Sequence, residues 1–392
     1  MRIFLFEFTT GGGLFNSSPP PTFDPIPGDH AHASVVMPKA QANQGTAELH
    51  PRAEHAHAIG QHTQGSLTQT SLMSLTSEGA AMVTALATDF AALANTQAIL
   101  LSDQRYPRPP LPNVQVRQVT NANDYRVAFE QESAQADWTI VIAPECDGIL
   151  LDRCQRVVKC GGRLLGSSPE IIGLAGDKHA TAEHLRNSGI PAPQGSVLSD
   201  QWEIPAGLRL PLVLKPCDGA GSLGLRRLDA SFATDQVPSD FLRGQSPWRV
   251  EEFCPGLPIS VALLCGPAGC VPLAPCKQLL SDDGRFNYLG GRLPLAPTLA
   301  ERATRLALRA VNTLNKPLGY LGVDLVLGNE PDGRGDTVIE INPRLTTSYI
   351  GLRVATHDNL AGALLAVAAG EAAALSFSDD PIEFTSDGNV KV

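Results

Sequence analysis

Two strongly apolar segments near the C-terminus each carry one carboxylic acid in the middle. They are Leu321-Gly322-Val323-Asp324-Leu325-Val326-Leu327 and Val338-Ile339-Glu340-Ile341-Asn342-Pro343-Arg344. Both read as strands, and a carboxylate inside a strand is costly to bury unless something compensates it. The polar stretch 328–336 suits a hairpin loop, so the two strands are expected to pair antiparallel. Side chains alternate along a strand, which puts Glu340 and Asn342 on one face. With Asp324 opposite, three oxygen donors converge. That set suits a hard cation such as Mg²⁺, completed by water and phosphate oxygens. The plainer alternative is a salt bridge to Arg344 or a nearby lysine.

A second loaded segment lies upstream. The strand Leu212–Lys215 runs into Pro216-Cys217-Asp218-Gly219-Ala220-Gly221-Ser222-Leu223-Gly224. A lysine ending a buried strand, followed by closely spaced glycines and a serine, can grip an anion: the glycines let backbone N–H groups approach and the lysine adds a point charge. An ordinary hairpin turn beside a lysine is the competing reading. This is not a Walker loop, because here the lysine precedes the glycines.

A chain of 392 residues should hold two or three domains. After a first strand at 1–8, residues 16–71 carry seven prolines and six of the nine histidines with a single aromatic, Phe23. So few apolar groups cannot offset the ordering entropy, and a disordered insertion is expected. Its doublets His30/His32 and His55/His57 are a weaker transition-metal candidate. Leu72, Leu75, Met82, Val83, Leu86, Phe90 and Leu93 then recur at helical spacing. Strands at 98–101, 114–119, 139–143 and 163–165 alternate with helices at 123–135 and 148–160, which predicts a Rossmann-like parallel sheet over 1–170. Gly11-Gly12-Gly13 is not a dinucleotide fingerprint, and no helix N-terminus follows it closely, so a substrate-contacting loop is the better reading. From 177 onward helices (177–188, 299–314) and strands (212–215, 248–253, 259–265, 270–274, 322–327, 337–341) come in mixed order, as in α+β architecture.

Composition excludes several classes. Thirty basic against 40 acidic residues give a net charge of −10, without the basic stripe that a nucleic-acid partner requires. The uncharged run 253–276 is broken by prolines and glycines, so no membrane span is expected. Met1–Phe8 is too short and too soon acidic for a leader. The eight cysteines show no C-x-x-C pair and fit reduced thiols in a cytoplasmic protein.

Taken in order, Gly176-Asp177-Lys178, the loop Lys215–Gly224, Val250-Glu251-Glu252-Phe253, the Asp324 strand and Glu340-Ile341-Asn342-Pro343-Arg344 resemble the ATP-grasp ligases over about 177–370. The resemblance implies a Rossmann-like pre-ATP-grasp N-terminal domain (1–170), then an ATP-grasp fold of two subdomains, a lid (171–252) and a C-terminal part (253–375), with a tail at 376–392. It implies that ATP contacts Lys178 and Lys215 and that Gly219, Gly221, Ser222 and Gly224 close over its phosphates. The hinge Glu251, Glu252, Phe253 and Cys254 would read adenine. Asp324, Glu340 and Asn342 would hold two Mg²⁺ or Mn²⁺ ions, and Arg344, with Lys215, would steady the transferred phosphoryl group. The family's usual ribose-binding acid is missing, since Gly256-Leu257-Pro258 puts proline there. The implied reaction activates a carboxylate as an acyl phosphate, which an amine then attacks.

A narrower resemblance rests on Phe6–Leu14, Ile142-Ala143-Pro144-Glu145 and Thr346-Thr347-Ser348, which look like the tyramine–glutamate ligases of methanofuran and tetrahydromethanopterin-linked cofactor biosynthesis. Phe286–Arg292 is then the expected substrate loop, with Arg292 facing a glutamate carboxylate. Alternatives within the class are a ligase of the D-alanine–D-alanine type or a carbamoyl-phosphate-like activator; outside it, a non-catalytic ATP-binding protein. The expected partners are small-molecule carboxylate and amine substrates, with neither nucleic acid nor membrane, and a homodimer stays possible.

Overall fold

Ile3, Phe4, Leu5 and Phe6 are all fully buried, the mark of a strand covered on both faces. The computed structural model describes residues 1–15, 69–106, 110–198, 203–219, 221–229 and 247–392. The histidine doublets and nearly all of the proposed insertion lie outside them. The N-terminal elements are β1 (Arg2–Glu7), α1 (Gln69–Ala91), β2 (Gln97–Asp103), β3 (Val114–Val119), α2 (Ala122–Gln135), β4 (Trp138–Ile142) and α3 (Ile149–Lys159). Their four strands form a parallel sheet in the order β3-β2-β1-β4. Ile3 and Leu5 pack with Met82, Leu86 and Phe90 of α1, while Phe4 and Phe6 meet Phe129 of α2 edge-on and Phe6 stacks on Tyr125. The strand expected at 163–165 is reduced to one bridge, Thr139 to Leu164.

Strand order reverses direction at β1, with β2 on one side and β4 on the other. The carboxyl ends of these strands therefore open a crevice of the kind in which α/β sheets hold ligands.

Two capped helices lead out of this sheet. Ser168 and Pro169 start α4 (Pro169–Ala175), and the Asp177 carboxylate accepts from the His179 and Ala180 amides to start α5 (Lys178–Asn187). A small antiparallel sheet follows, made of β5 (Gly195–Val197), β6 (Leu212–Pro216), β7 (Arg226–Leu228) and β8 (Trp248–Glu252) in the order β5-β8-β6-β7. Its core is Leu198, Leu212, Leu214 and Val250.

The largest sheet is built from β9 (Leu257–Gly266), β10 (Gly269–Pro272), β11 (Cys276–Leu280), β12 (Tyr288–Leu293), β13 (Gly319–Leu327) and β14 (Thr337–Asn342). Helix α6 (Pro297–Val311) packs on one face, and α7 (Ser348–Ala355) and α8 (Leu360–Ala368) close the other with α1. Residues 376–392 are not a loose tail. They supply β15 (Ile382–Thr385) and β16 (Val390–Lys391), which extend the sheet beside β12. Phe384 explains why: it is fully buried in the same core as α1 and α7. Likewise, most of the expected loop 286–292 is strand β12, held between β11 and β15. Among the described residues no helix is long and apolar enough to cross a membrane.

Candidate active site

The β13–β14 pairing places Asp324 directly across from Glu340, and Asn342 across from Gly322. Asn342 Nδ2 donates to Asp324 Oδ2 at 3.1 Å. Burial, with the neighbouring Glu340 charge, pushes the Asp324 carboxyl up. Burial acts on Glu340 in the same sense, but the Lys178 ammonium outweighs it and holds Glu340 down. That ammonium donates to Glu340 Oε2 at 2.7 Å and to the Gly219 carbonyl at 3.0 Å. The salt bridge considered from sequence thus exists, between Glu340 and Lys178.

Lys215 is anchored from the other side. Its Nζ lies 2.5 Å from Glu251 Oε1, and Glu251 Oε2 accepts from Arg249 Nε at 2.7 Å. Arg249 is fully buried and also donates to the Pro193 carbonyl at 2.9 Å. The Glu251 side chain is therefore committed to orienting a lysine. Glu252 turns outward to Arg209 at 2.9 Å. Phe253 stacks on Phe286 with ring centroids 6.0 Å apart, and the Arg227 guanidinium lies 4.5 Å above the Phe253 ring.

The glycine-rich segment meets the β11–β12 turn. Ser222 Oγ donates to the Phe286 carbonyl and the Arg227 amide donates to the Gly284 carbonyl at 2.8 Å. Gly221 takes φ +60°, which a glycine tolerates at no cost. Gly219 contributes its carbonyl to Lys178, whereas Gly224 sits against Pro216 and Trp248.

One cavity of about 1020 Å³ joins these groups. Its walls include Lys178, Lys215, Gly221, Phe253, Asp324 and Glu340, and it also reaches Asn342, Arg344, Glu252 and Cys254. The far end is lined by Glu7 and Thr9 after β1, by Ile142, Ala143 and Pro144 after β4, and by Ser74, Glu78 and Met82 of α1. This is the crevice where strand order reverses. At that end Arg344 makes a two-pronged bond to Glu145, 2.8 and 3.0 Å, and Glu145 carries it in spite of burial. Glu7 accepts from the Thr9 and Thr10 amides at 2.9 and 2.8 Å and from both hydroxyls. Gly79 of α1 is required beside it, since a Cβ there would come within 2.4 Å of Glu7 Oε1.

Arg292 does not serve as expected. It is exposed on β12 and pairs with Glu383 on β15, outside the cavity wall. A break in alternation explains the difference: Leu279 and Leu280 pair with Gly290 and Tyr288, so the extra residue Leu289 shifts the register, and Tyr288 takes the cavity side of β12 while Arg292, four residues on, takes solvent. Tyr288 belongs to the expected substrate loop and does line the cavity, Glu145 was read only within a motif, and Glu78 was missed. Glu78 had a signal, since it interrupts the apolar face of α1 between Leu75 and Met82 at helical spacing.

Among the described residues no three of His, Cys, Asp and Glu gather to hold a metal. The set here is two carboxylates and a carboxamide. Two acids across one strand pair, one of them pushed up by burial and by its neighbour's charge, fit a hard cation that shares its shell with phosphate and water.

Residues 175–348 match the family described as ATP-grasp domain, and 96–172 the one described as pre ATP-grasp 3 domain. The chain is 25% identical to a tyramine–L-glutamate ligase of Methanocaldococcus fervens over 79% of its own length and 92% of the relative's. A second such ligase, from Methanocaldococcus jannaschii, is 26% identical over 70% and 77%. A crystal structure of an ATP-grasp superfamily protein from Archaeoglobus fulgidus superposes with TM-score 0.62 at 21% identity, covering 98% of this chain and 91% of that one. Fold, domain order and family matches agree, and the chain belongs to the ATP-grasp superfamily as an ATP-dependent carboxylate–amine ligase.

Proposed function

We propose that this ligase joins a carboxylate of L-glutamate to an aromatic or similarly apolar primary amine, with Lys178, Lys215, Asp324, Glu340, Asn342 and Arg344 as its working residues. The observation that carries the reading is the single cavity. Its lid end holds the lysines and the carboxylate pair, while its other end reaches the β1 and β4 termini. The volume of about 1020 Å³ stands at the top of the usual range for small-ligand sites, roughly 300–1,000 Å³. Similarity to tyramine–L-glutamate ligases along most of both chains supports the substrate pair.

The residues divide the work. Lys178 and Lys215 place two positive charges at the phosphates, each held in position by an acid. Gly221 and Ser222 on the lid exclude water from a labile acyl phosphate, and Ser222 is already bonded to the β11–β12 turn. Residues 251–254 line the cavity, and their backbone groups would read adenine. Asp324, Glu340 and Asn342 would hold Mg²⁺ or Mn²⁺, which when bound neutralises phosphate charge in the transfer. Arg344, pinned by Glu145, steadies the acyl phosphate from the substrate end.

The test is ADP release with Mg²⁺-ATP and L-glutamate together with tyramine, and mass analysis of the product. A γ-glutamyl amide with one ADP per bond is expected. D-alanine driving ADP release while glutamate with tyramine does not would reject the substrate pair and favour a D-alanine–D-alanine type of ligase.

A further inference from the structure

The charged groups of the cavity are nearly all paired. Lys178 binds Glu340, Lys215 binds Glu251 and Arg344 binds Glu145. Glu7 is wrapped by amides and hydroxyls of Thr9 and Thr10. Glu78 stands apart. It lines the cavity from α1, its bond is to the Ser74 hydroxyl at 3.0 Å, and among the described residues it has no cationic partner. Burial pushes its carboxyl up, so a cation arriving beside it would relieve the cost.

A second observation points to the same place. Tyr288 lines the cavity from β12 and is partly buried, and among the described residues its hydroxyl makes no hydrogen bond to the protein. The charges of Glu78 and of Asp324 both reach it, and the charges of Glu78 and Arg344 reach each other. A phenol that faces a cavity with no bond to the protein is free to bond a ligand there. Leu75 and Met82, on the same face of α1 as Glu78, supply apolar wall. The pocket is therefore an anionic, hydroxyl-lined end with an apolar flank, next to the arginine that would hold the acyl phosphate.

We propose that Glu78, with Ser74 and Tyr288, binds the ammonium group of the acceptor, a primary amine with an apolar body. This rests on the ligase reading above and assigns its amine side. An ammonium is no nucleophile, so the carboxylate of Glu78 takes one proton as the nitrogen is freed to attack. The nitrogen then forms a bond to the acyl carbon while the bond from that carbon to the phosphate oxygen breaks. Phosphate leaves with that electron pair and with the second proton lost from nitrogen, and Glu78 re-ionises to solvent.

Hydroxylamine separates this claim from the wider one. It is small and largely uncharged at neutral pH, so it traps an acyl phosphate as a hydroxamate without an ammonium site. Wild type, Glu78→Gln, Glu78→Asp and Tyr288→Phe are given Mg²⁺-ATP and L-glutamate with either hydroxylamine or tyramine. The ratio of amide to hydroxamate should fall roughly ten- to hundredfold in Glu78→Gln, the range expected for a lost charged hydrogen bond. The loss should appear in KM for tyramine, recover in part in Glu78→Asp and be several-fold in Tyr288→Phe, which also serves if Glu78→Gln does not fold. Tyrosol, the alcohol with the same ring, should inhibit wild type and Glu78→Gln equally. An unchanged ratio, or a rise in KM confined to glutamate, overturns the assignment. Wild type that forms neither hydroxamate nor amide with glutamate overturns the glutamate reading beneath it.

Discussion

Lys215, Glu251 and Arg249 show how much of the site is invested in aiming single groups. Glu251 stands between two buried cations, and replacing it by glutamine leaves both partly uncompensated. Removing one member of such a pair costs about 3–5 kcal/mol. Glu251→Gln should therefore lower the midpoint of thermal or denaturant unfolding clearly and raise KM for ATP; a variant as stable as wild type would show that the network is not structural. Glu340→Gln is a different case. It weakens the hold on Lys178 and takes charge from the proposed metal pair, and such clamps contribute several kcal/mol to the transition state. Turnover should fall by two or more orders of magnitude with the fold kept, as judged by circular dichroism. Near-normal ADP formation would reject the metal role of Glu340.

The elements divide into those written in local pattern and those decided by distant partners. Strand β1, helix α1 and the β13–β14 hairpin were legible because each rests on a local signal: an apolar run, a helical stripe, alternation around a loop. The facing of Asp324 and Glu340 followed from the same alternation. Strands β12 and β15 were not legible. Tyr288–Leu293 contains two glycines and reads as a loop, and becomes a strand only because β11 and β15 pair on either side. Gly290 and Gly291 are required there: a Cβ at Gly290 would meet the Phe384 carbonyl oxygen at 1.9 Å, and one at Gly291 the Phe384 ring at 2.4 Å. Glu145 was read only as part of a motif, since its partner Arg344 is 199 residues away. The C-terminal hairpin carries its own prediction. Phe384 is fully buried, and Phe→Ala in a core costs about 3–5 kcal/mol. Phe384→Ala, or truncation before residue 376, should lower the unfolding midpoint strongly; an unshifted midpoint would return this segment to the status of a tail.

At the scale of the molecule, the site exists only where three regions meet. Arg344 follows the large sheet and is held by Glu145 of the parallel-sheet region, and the Asp147 amide donates to Asp218 of the glycine-rich segment at 2.9 Å. Lys178 joins α5 to that segment through Gly219 and to β14 through Glu340. A nucleotide seated in this cavity would touch two of these regions at once, so its binding energy should appear as stability of the whole chain. A ligand at a hundredfold excess over its Kd stabilises the folded state by about 2.7 kcal/mol. Mg²⁺-ADP should therefore raise the thermal midpoint measurably more than ADP with chelator, because the two acids of β13 and β14 repel the phosphates unless a cation intervenes. In Asp324→Asn with Glu340→Gln that repulsion is gone. The variant should bind ADP equally with and without Mg²⁺, and the two melting curves should coincide. A variant that kept the full wild-type gap between those curves would place the metal elsewhere, and a wild type indifferent to nucleotide would deny that this cavity takes it.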